Sequence, residues 1–138
     1  MEIELRLFED TPFAGVDPVA LPASPRAIYV AAGQVTINGS VLPADEGIVT
    51  SDKLMLAVAD SGATLWRWEI VSAGSLAEPL AGRGHLKLSH FIEPDRIADE
   101  LLLRLDSVAF PPGGCAFLHT HRGPGTRCLR EGTIRIDT

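Results

Sequence analysis

The feature that most constrains this chain is a recurring alternation of apolar and polar residues with a period of two. It runs through Ile3, Leu5 and Leu7, then Ile28 and Val30, then Val35 and Ile37, and finally Ile134 and Ile136. Successive side chains of a strand point to opposite faces, so each run reads as a strand with one buried face. The breaks carry turn chemistry: Asn38-Gly39, Ser61-Gly62, Pro111-Pro112-Gly113-Gly114 and Gly123-Pro124-Gly125. Short strands punctuated in this way predict an all-β barrel or jelly roll. The single helical hint lies between Glu93 and Leu103, where Pro94 could open a turn followed by Ile97, Ala98 and Leu101.

At 138 residues the chain can build one barrel or sandwich with a real core, or two very small ones. Twelve Lys and Arg against 18 Asp and Glu give a formal net charge of -6, which steers it toward neither nucleic acid nor an anionic membrane. The opening MEIELRLFED lacks the basic region and apolar run of a signal peptide, and no stretch is apolar enough to span a bilayer. A cytoplasmic location is expected. Two cysteines, Cys115 and Cys128, are too few for a disulfide framework and lack zinc-ribbon spacing, so reduced thiols are expected.

The chain also resembles itself. Ser24 to Ile37 and Gly125 to Ile136 each read as a strand, a small-residue turn ending in Gly, and an alternating strand. Aligning them predicts a first repeat over 1–71, an Ala-, Gly- and Ser-rich linker over 72–83, and a second repeat over 84–138. Nothing after Thr138 matches Leu42 to Ile70, so the second repeat is expected to be incomplete.

The run Pro112-Gly113-Gly114-Cys115-Ala116-Phe117-Leu118-His119-Thr120-His121, followed by a loop and Gly132, resembles the first motif of the cupin superfamily. That motif is a Gly, a short strand, His-x-His, a Glu and a Gly at the next turn. The resemblance covers Pro111 to Ile136, while Arg26 to Ile70, with its hairpin YVAAGQVTING, resembles the later part of a cupin barrel. It implies a double-stranded β-helix, a jelly-roll barrel, in a bicupin-like chain whose second barrel is incomplete. It also implies a divalent transition metal (Fe, Mn, Ni, Zn or Cu) held by His119 and His121. The family's Glu position falls on Gly125 or Thr126, and its third His would lie beyond Gly132. The equivalents in the first repeat, near Ala20, Pro22 and Ser51 to Leu54, carry no metal chemistry.

On a strand, His119 and His121 project to one face together with Phe117 and Cys115, and two neutral imidazoles there can chelate a borderline metal. Cys115 reads as a small buried hydrophobe rather than a ligand. Counting alternately from Gly125 turns Arg127 and Leu129 inward and Thr126 and Cys128 outward. Arg127 would then bind a small anionic ligand, or else sit at the rim against an acid such as Asp106. His85 and His90 have opposite parity and cannot share a face, which suits a surface role. Trp66 and Trp68 share a face and read as packing, with Leu65 and Arg67 on the other.

Three functions follow as expectations. The first is a metal-dependent dioxygenase, isomerase or lyase acting on a small organic acid. The second is a non-catalytic cupin that binds a small molecule. The third is a structural cupin that forms a homodimer, because the unpaired edges of Leu101 to Phe110 and Ala116 to His121 would seek a partner.

Overall fold

The computed structural model describes residues 2–12, 17–93 and 100–137. The chain falls into two compact units, Met1–Asp106 and Ser107–Thr138. Among the described residues of the first, the strands are β1 (Ile3–Asp10), β2 (Val19–Leu21), β3 (Arg26–Ile37), β4 (Ser40–Pro43), β5 (Gly47–Thr50), β6 (Leu54–Ser72) and β7 (Gly84–Ile92). Only a short 3-10 turn, Leu80–Gly82, joins them. All pair antiparallel in one sheet ordered β4-β3-β6-β1-β7, with β5 also on β3 and β2 also on β6. The all-β class read from the alternation is therefore the class observed. The helical hint from Glu93 to Leu103 falls largely on 94–99, outside the described residues. Among the described residues no helix is long and apolar enough to cross a membrane.

The paired strands β3 and β6 form the spine. The first half of β3 pairs with β5 and the late half of β6, and its second half with β4 and the early half of β6. Ile28 and Val30 in the first half have even numbers; Val35 and Ile37 in the second have odd ones. All four nonetheless bury into one core with Leu54, Leu56 and Leu65. A strict two-residue period would turn one half outward, and the register shifts between Val30 and Val35 restore the phase. Strand β6 makes the matching change between Leu56 and Leu65. Gly33 and Gly62, both at φ 76°, meet at this point, and a Cβ on Gly33 would collide with the Gly62 carbonyl. The turns expected at Ala31-Ala32-Gly33 and Ser61-Gly62 are thus bulges inside continuous strands. The Asn38-Gly39 turn holds: both residues have positive φ, 49° and 84°, as a two-residue β3/β4 hairpin requires.

Strand β1 departs from the expectation of one buried face. Glu4, Arg6, Phe8 and Asp10 are buried as well as Ile3, Leu5 and Leu7. Part of the reason is position, since β1 lies inside the sheet between β6 and β7. The rest is the stretch 72–83, read from composition as a linker. It is tied down: Arg6 donates to the Ser75 and Leu76 carbonyls (2.7 and 3.2 Å), Arg67 to the Glu78 carbonyl (3.1 Å), and the Leu80 N–H donates to Asp10 (2.8 Å). Leu80 itself enters the core. The stretch is a strap, and it delivers β7 to the free side of β1, so 84–92 belongs to the sheet of the first unit.

The second unit has no strand among its described residues. Its Pro111 to Gly114 turn forms as expected, closed by the Gly114 N–H on the Pro111 carbonyl (2.8 Å) with Gly113 at φ 77°. The alternating runs at Ala116 to His121 and Ile134 to Ile136 form no ladder. A strand exists only with a neighbour to satisfy its backbone, and pattern alone does not supply one.

Because Gly33 combines positive φ with contact against Gly62, Gly33→Ala is expected to destabilise the fold by about 2–4 kcal/mol in denaturant melts. Gly39→Ala, at positive φ with open space around it, should cost only about 1–2 kcal/mol.

Candidate functional site

The two imidazoles singled out by the sequence come together. His119 Nε2 and His121 Nε2 lie 3.0 Å apart, with the ring centroids at 4.8 Å and the planes at 72°. His119 Nδ1 is 2.6 Å from the Phe117 carbonyl. A carbonyl can only accept, so Nδ1 carries the proton and the Nε2 lone pair of a neutral His119 is free. In the neutral pair, His121 then donates its Nε2–H to that lone pair. This backbone anchor fixes ring and tautomer as the outer hydrogen bond of a metal-ligating His does. Two metal–nitrogen bonds of about 2.0–2.1 Å at a tetrahedral angle set their nitrogens about 3.3 Å apart, so the pair needs little movement to become a chelate. Both rings are exposed, and no strand places them: the expected strand geometry is replaced by the local contact to residue 117.

The partners expected for this pair are not brought to it. Among the described residues no group of three or more His, Cys, Asp or Glu is arranged to hold a metal. Arg127 and Leu129 are exposed while Thr126 and Cys128 are half-buried, so the alternation there has the opposite phase to the one expected. Asp106, offered as a rim partner for Arg127, pairs with Arg104 instead (2.8 Å). Cys115 is exposed rather than buried.

What sequence reasoning missed is a buried charged face inside the first unit. Thr50, Arg26, Glu69, Arg6 and Ser89 stand directly opposite one another across β5, β3, β6, β1 and β7. The next row up carries Ile48, Ile28, Arg67, Phe8 and Leu86. Arg67 makes a bidentate pair with Asp10 (2.7 and 3.2 Å), meets Glu69 at 2.7 Å, and stacks over the Phe8 ring at 4.2 Å. Burial alone pushes the Arg67 guanidinium toward losing its proton, but the hydrogen bond and charge of Asp10, with Glu69, outweigh it and hold its pKa above the usual value. Arg26 reaches Glu69 at 3.4 Å, and Arg6 reaches Glu4 at 2.9 Å. Glu4 also accepts from Ser89. The signal was present in the alternation of Glu4, Arg6 and Asp10 with Ile3, Leu5 and Leu7, but alternation alone assigns the charged face to solvent.

The opposite face of the same strands carries Trp66 and Trp68 together, as expected. Trp66 lies against Tyr29, ring centroids 5.4 Å apart, and donates its indole N–H to Glu9 (3.1 Å). That hydrogen bond holds the Glu9 carboxyl below its usual value, against burial that pushes it up, with Lys87 and His85 helping to lower it. His85 and His90 are exposed, which fits a surface role, but they share a face. A bulge in β7 between Leu86 and Leu88 changes the parity and sets them opposite Glu9 and Leu5.

No protein-family model matches the chain, and no curated protein matches it at a significant level. Among solved structures it is similar to a crystal structure of a cupin protein from Bacteroides fragilis, at 19% identity and a TM-score of 0.36, over 64% of this chain and 80% of that one.

Two outcomes are expected. Asp10→Asn leaves the Arg67 guanidinium buried without its main carboxylate and should cost about 3–5 kcal/mol by chemical denaturation, whereas Asp10→Leu with Arg67→Met should recover more than half of that. Glu9 has a lowered folded pKa, so its contribution to stability is present above its unfolded pKa and lost as pH falls through the folded one. Trp66→Phe should return the Glu9 titration, followed by NMR, toward the ordinary value; an unmoved titration would refute the assignment.

Proposed function

We propose that this chain is a cupin-type protein, built on a jelly-roll barrel, that binds a divalent transition metal through His119 and His121 and a small anionic organic ligand through Arg127. The observation that carries the reading is the 3.0 Å convergence of the two Nε2 atoms, with His119 set by the Phe117 carbonyl. The sequence around them, with its Pro112 to Gly114 turn and HTHRGPG run, is the part that resembles a cupin metal motif. Two imidazoles are fewer than the three protein donors that metal sites generally use, so the remaining positions go to water, to the ligand, or to groups outside this set. A metal held there would polarise a ligand oxygen, the chemistry that isomerase and lyase reactions use, and a redox-active metal would supply the oxygen chemistry of a dioxygenase. His119 and His121 hold it as neutral donors, and the Arg127 guanidinium orients a carboxylate or phosphate.

A second reading, a non-catalytic cupin that binds a small molecule without metal or, as a structural protein, associates with a second copy of itself, draws on a different observation. Phe117 and Leu118, beside the imidazole pair, are 89% and 99% exposed. Large apolar side chains in water at that level favour burial against a partner.

The test is metal content by elemental analysis after separate loading with Fe, Mn, Ni, Zn and Cu. The wild-type chain should retain about one equivalent of at least one metal, and the His119→Ala, His121→Ala double variant should lose it. Full retention in the double variant would overturn the metal site. Binding of a small anion that persists without metal and falls about tenfold in Arg127→Gln would favour the second reading.

A further inference from the structure

We propose that the buried arginine row of the first unit is a separate ligand site, for a small oxoanion, and that the Ser75 and Leu76 carbonyls of the strap are its displaceable occupants. Charges buried inside a sheet cost stability unless well paired, and replacing such groups by apolar ones is often neutral or favourable. Here the pairing is uneven. Arg67 is fully engaged by Asp10, Glu69 and the Glu78 carbonyl. Glu69, already taken by Arg67 at 2.7 Å, reaches Arg26 only at 3.4 Å, and Arg26 otherwise donates to the Asp52 carbonyl at 3.3 Å. Arg6 pairs with Glu4, but its Nε is buried and has no hydrogen-bond partner, and two of its bonds go to the neutral carbonyls of Ser75 and Leu76. Arg6 and Arg26 flank Glu69 in one row, so donor capacity is concentrated where acceptors are weakest.

The strap occupies these donors as a ligand would, with backbone oxygens in place of anionic ones. A carbonyl bonded to a guanidinium has charge assistance from the donor alone, whereas an ionised oxygen adds ion-pair attraction and can bond the fork bidentately. A carboxylate or phosphate therefore competes with the Ser75 and Leu76 carbonyls for the terminal nitrogens of Arg6. The strap can yield, because residues 74–78 are exposed and, besides the Arg6 and Arg67 bonds to their carbonyls, it is held at its ends, by the Ala73 N–H on the Glu2 carbonyl (3.0 Å) and by Leu80 in the core. This site shares no residue with the imidazole pair.

The experiment is calorimetric titration of the full chain with sodium phosphate and, separately, sodium succinate at constant ionic strength, with the carbonyl carbon shifts of Ser75 and Leu76 followed by NMR. Saturable binding is expected, with both carbonyl shifts moving as the probe takes their place on Arg6. Leu76→Gly loosens an exposed strap position and should tighten binding about three- to tenfold. Arg6→Gln should weaken it about tenfold or more, and the His119→Ala, His121→Ala variant should leave it unchanged. Response to phosphate alone or succinate alone would each uphold the site and assign its ligand class. Absence of saturable binding in both wild type and Leu76→Gly would overturn the proposal, as would binding that leaves the Ser75 and Leu76 carbonyl shifts unmoved. If Arg6→Gln does not fold, equal affinity of wild type and Leu76→Gly overturns it.

Discussion

Gly33 on β3 and Gly62 on β6 meet at a point where a Cβ on Gly33 would strike the Gly62 carbonyl, and the core of the first unit depends on that meeting. The bulges there let two strands change phase together, so that Ile28 and Val30 at one end and Val35 and Ile37 at the other reach the same interior. Without the phase change, half of each long strand would present its apolar side chains to water. The burial of those residues, at about 25 cal/mol per Å² of apolar surface, is what holds the sheet in this form.

The same spine brings charges inside. Once the odd positions of β6 turn inward at Leu65, Arg67 and Glu69 must follow, because strand parity allows no other course. Their neighbours across β1 and β3 are Asp10, Phe8, Arg6, Arg26 and Ile28, so the ionic row is built by register rather than by local sequence. Its members in turn fix the strap: Asp10 accepts from the Leu80 N–H, and Arg6 and Arg67 donate to the Ser75, Leu76 and Glu78 carbonyls that precede it. A stretch rich in Ala, Gly and Ser is thereby ordered by charges that lie about 70 residues away in sequence.

The strand content and the Asn38-Gly39 hairpin were legible because they rest on local rules, side-chain alternation and the need for positive φ in a two-residue turn. The bulges at Gly33 and Gly62 were read as turns, since Gly signals the same conformational freedom in either place. The burial of β1 on both faces was hidden, because alternation reports that two faces differ and not that both are covered. His119 and His121 were found from their spacing, and they do converge, although through the Phe117 carbonyl rather than through a strand. Alternate counting at Arg127 needs a paired strand to fix its phase, and none is present there among the described residues.

The proposed role of the imidazole pair turns on where its protons sit. His119, with Nδ1–H on a carbonyl, is already the correct tautomer to ligate through Nε2; His121 must give up the Nε2–H that it donates to His119 before both lone pairs face one ion. Long-range nitrogen–proton NMR of the two rings during a zinc titration reads this directly. The account predicts that His119 keeps its Nδ1–H tautomer throughout, while His121 moves from Nε2–H to Nδ1–H and saturates at one equivalent. Rings whose tautomers do not change with zinc would contradict it.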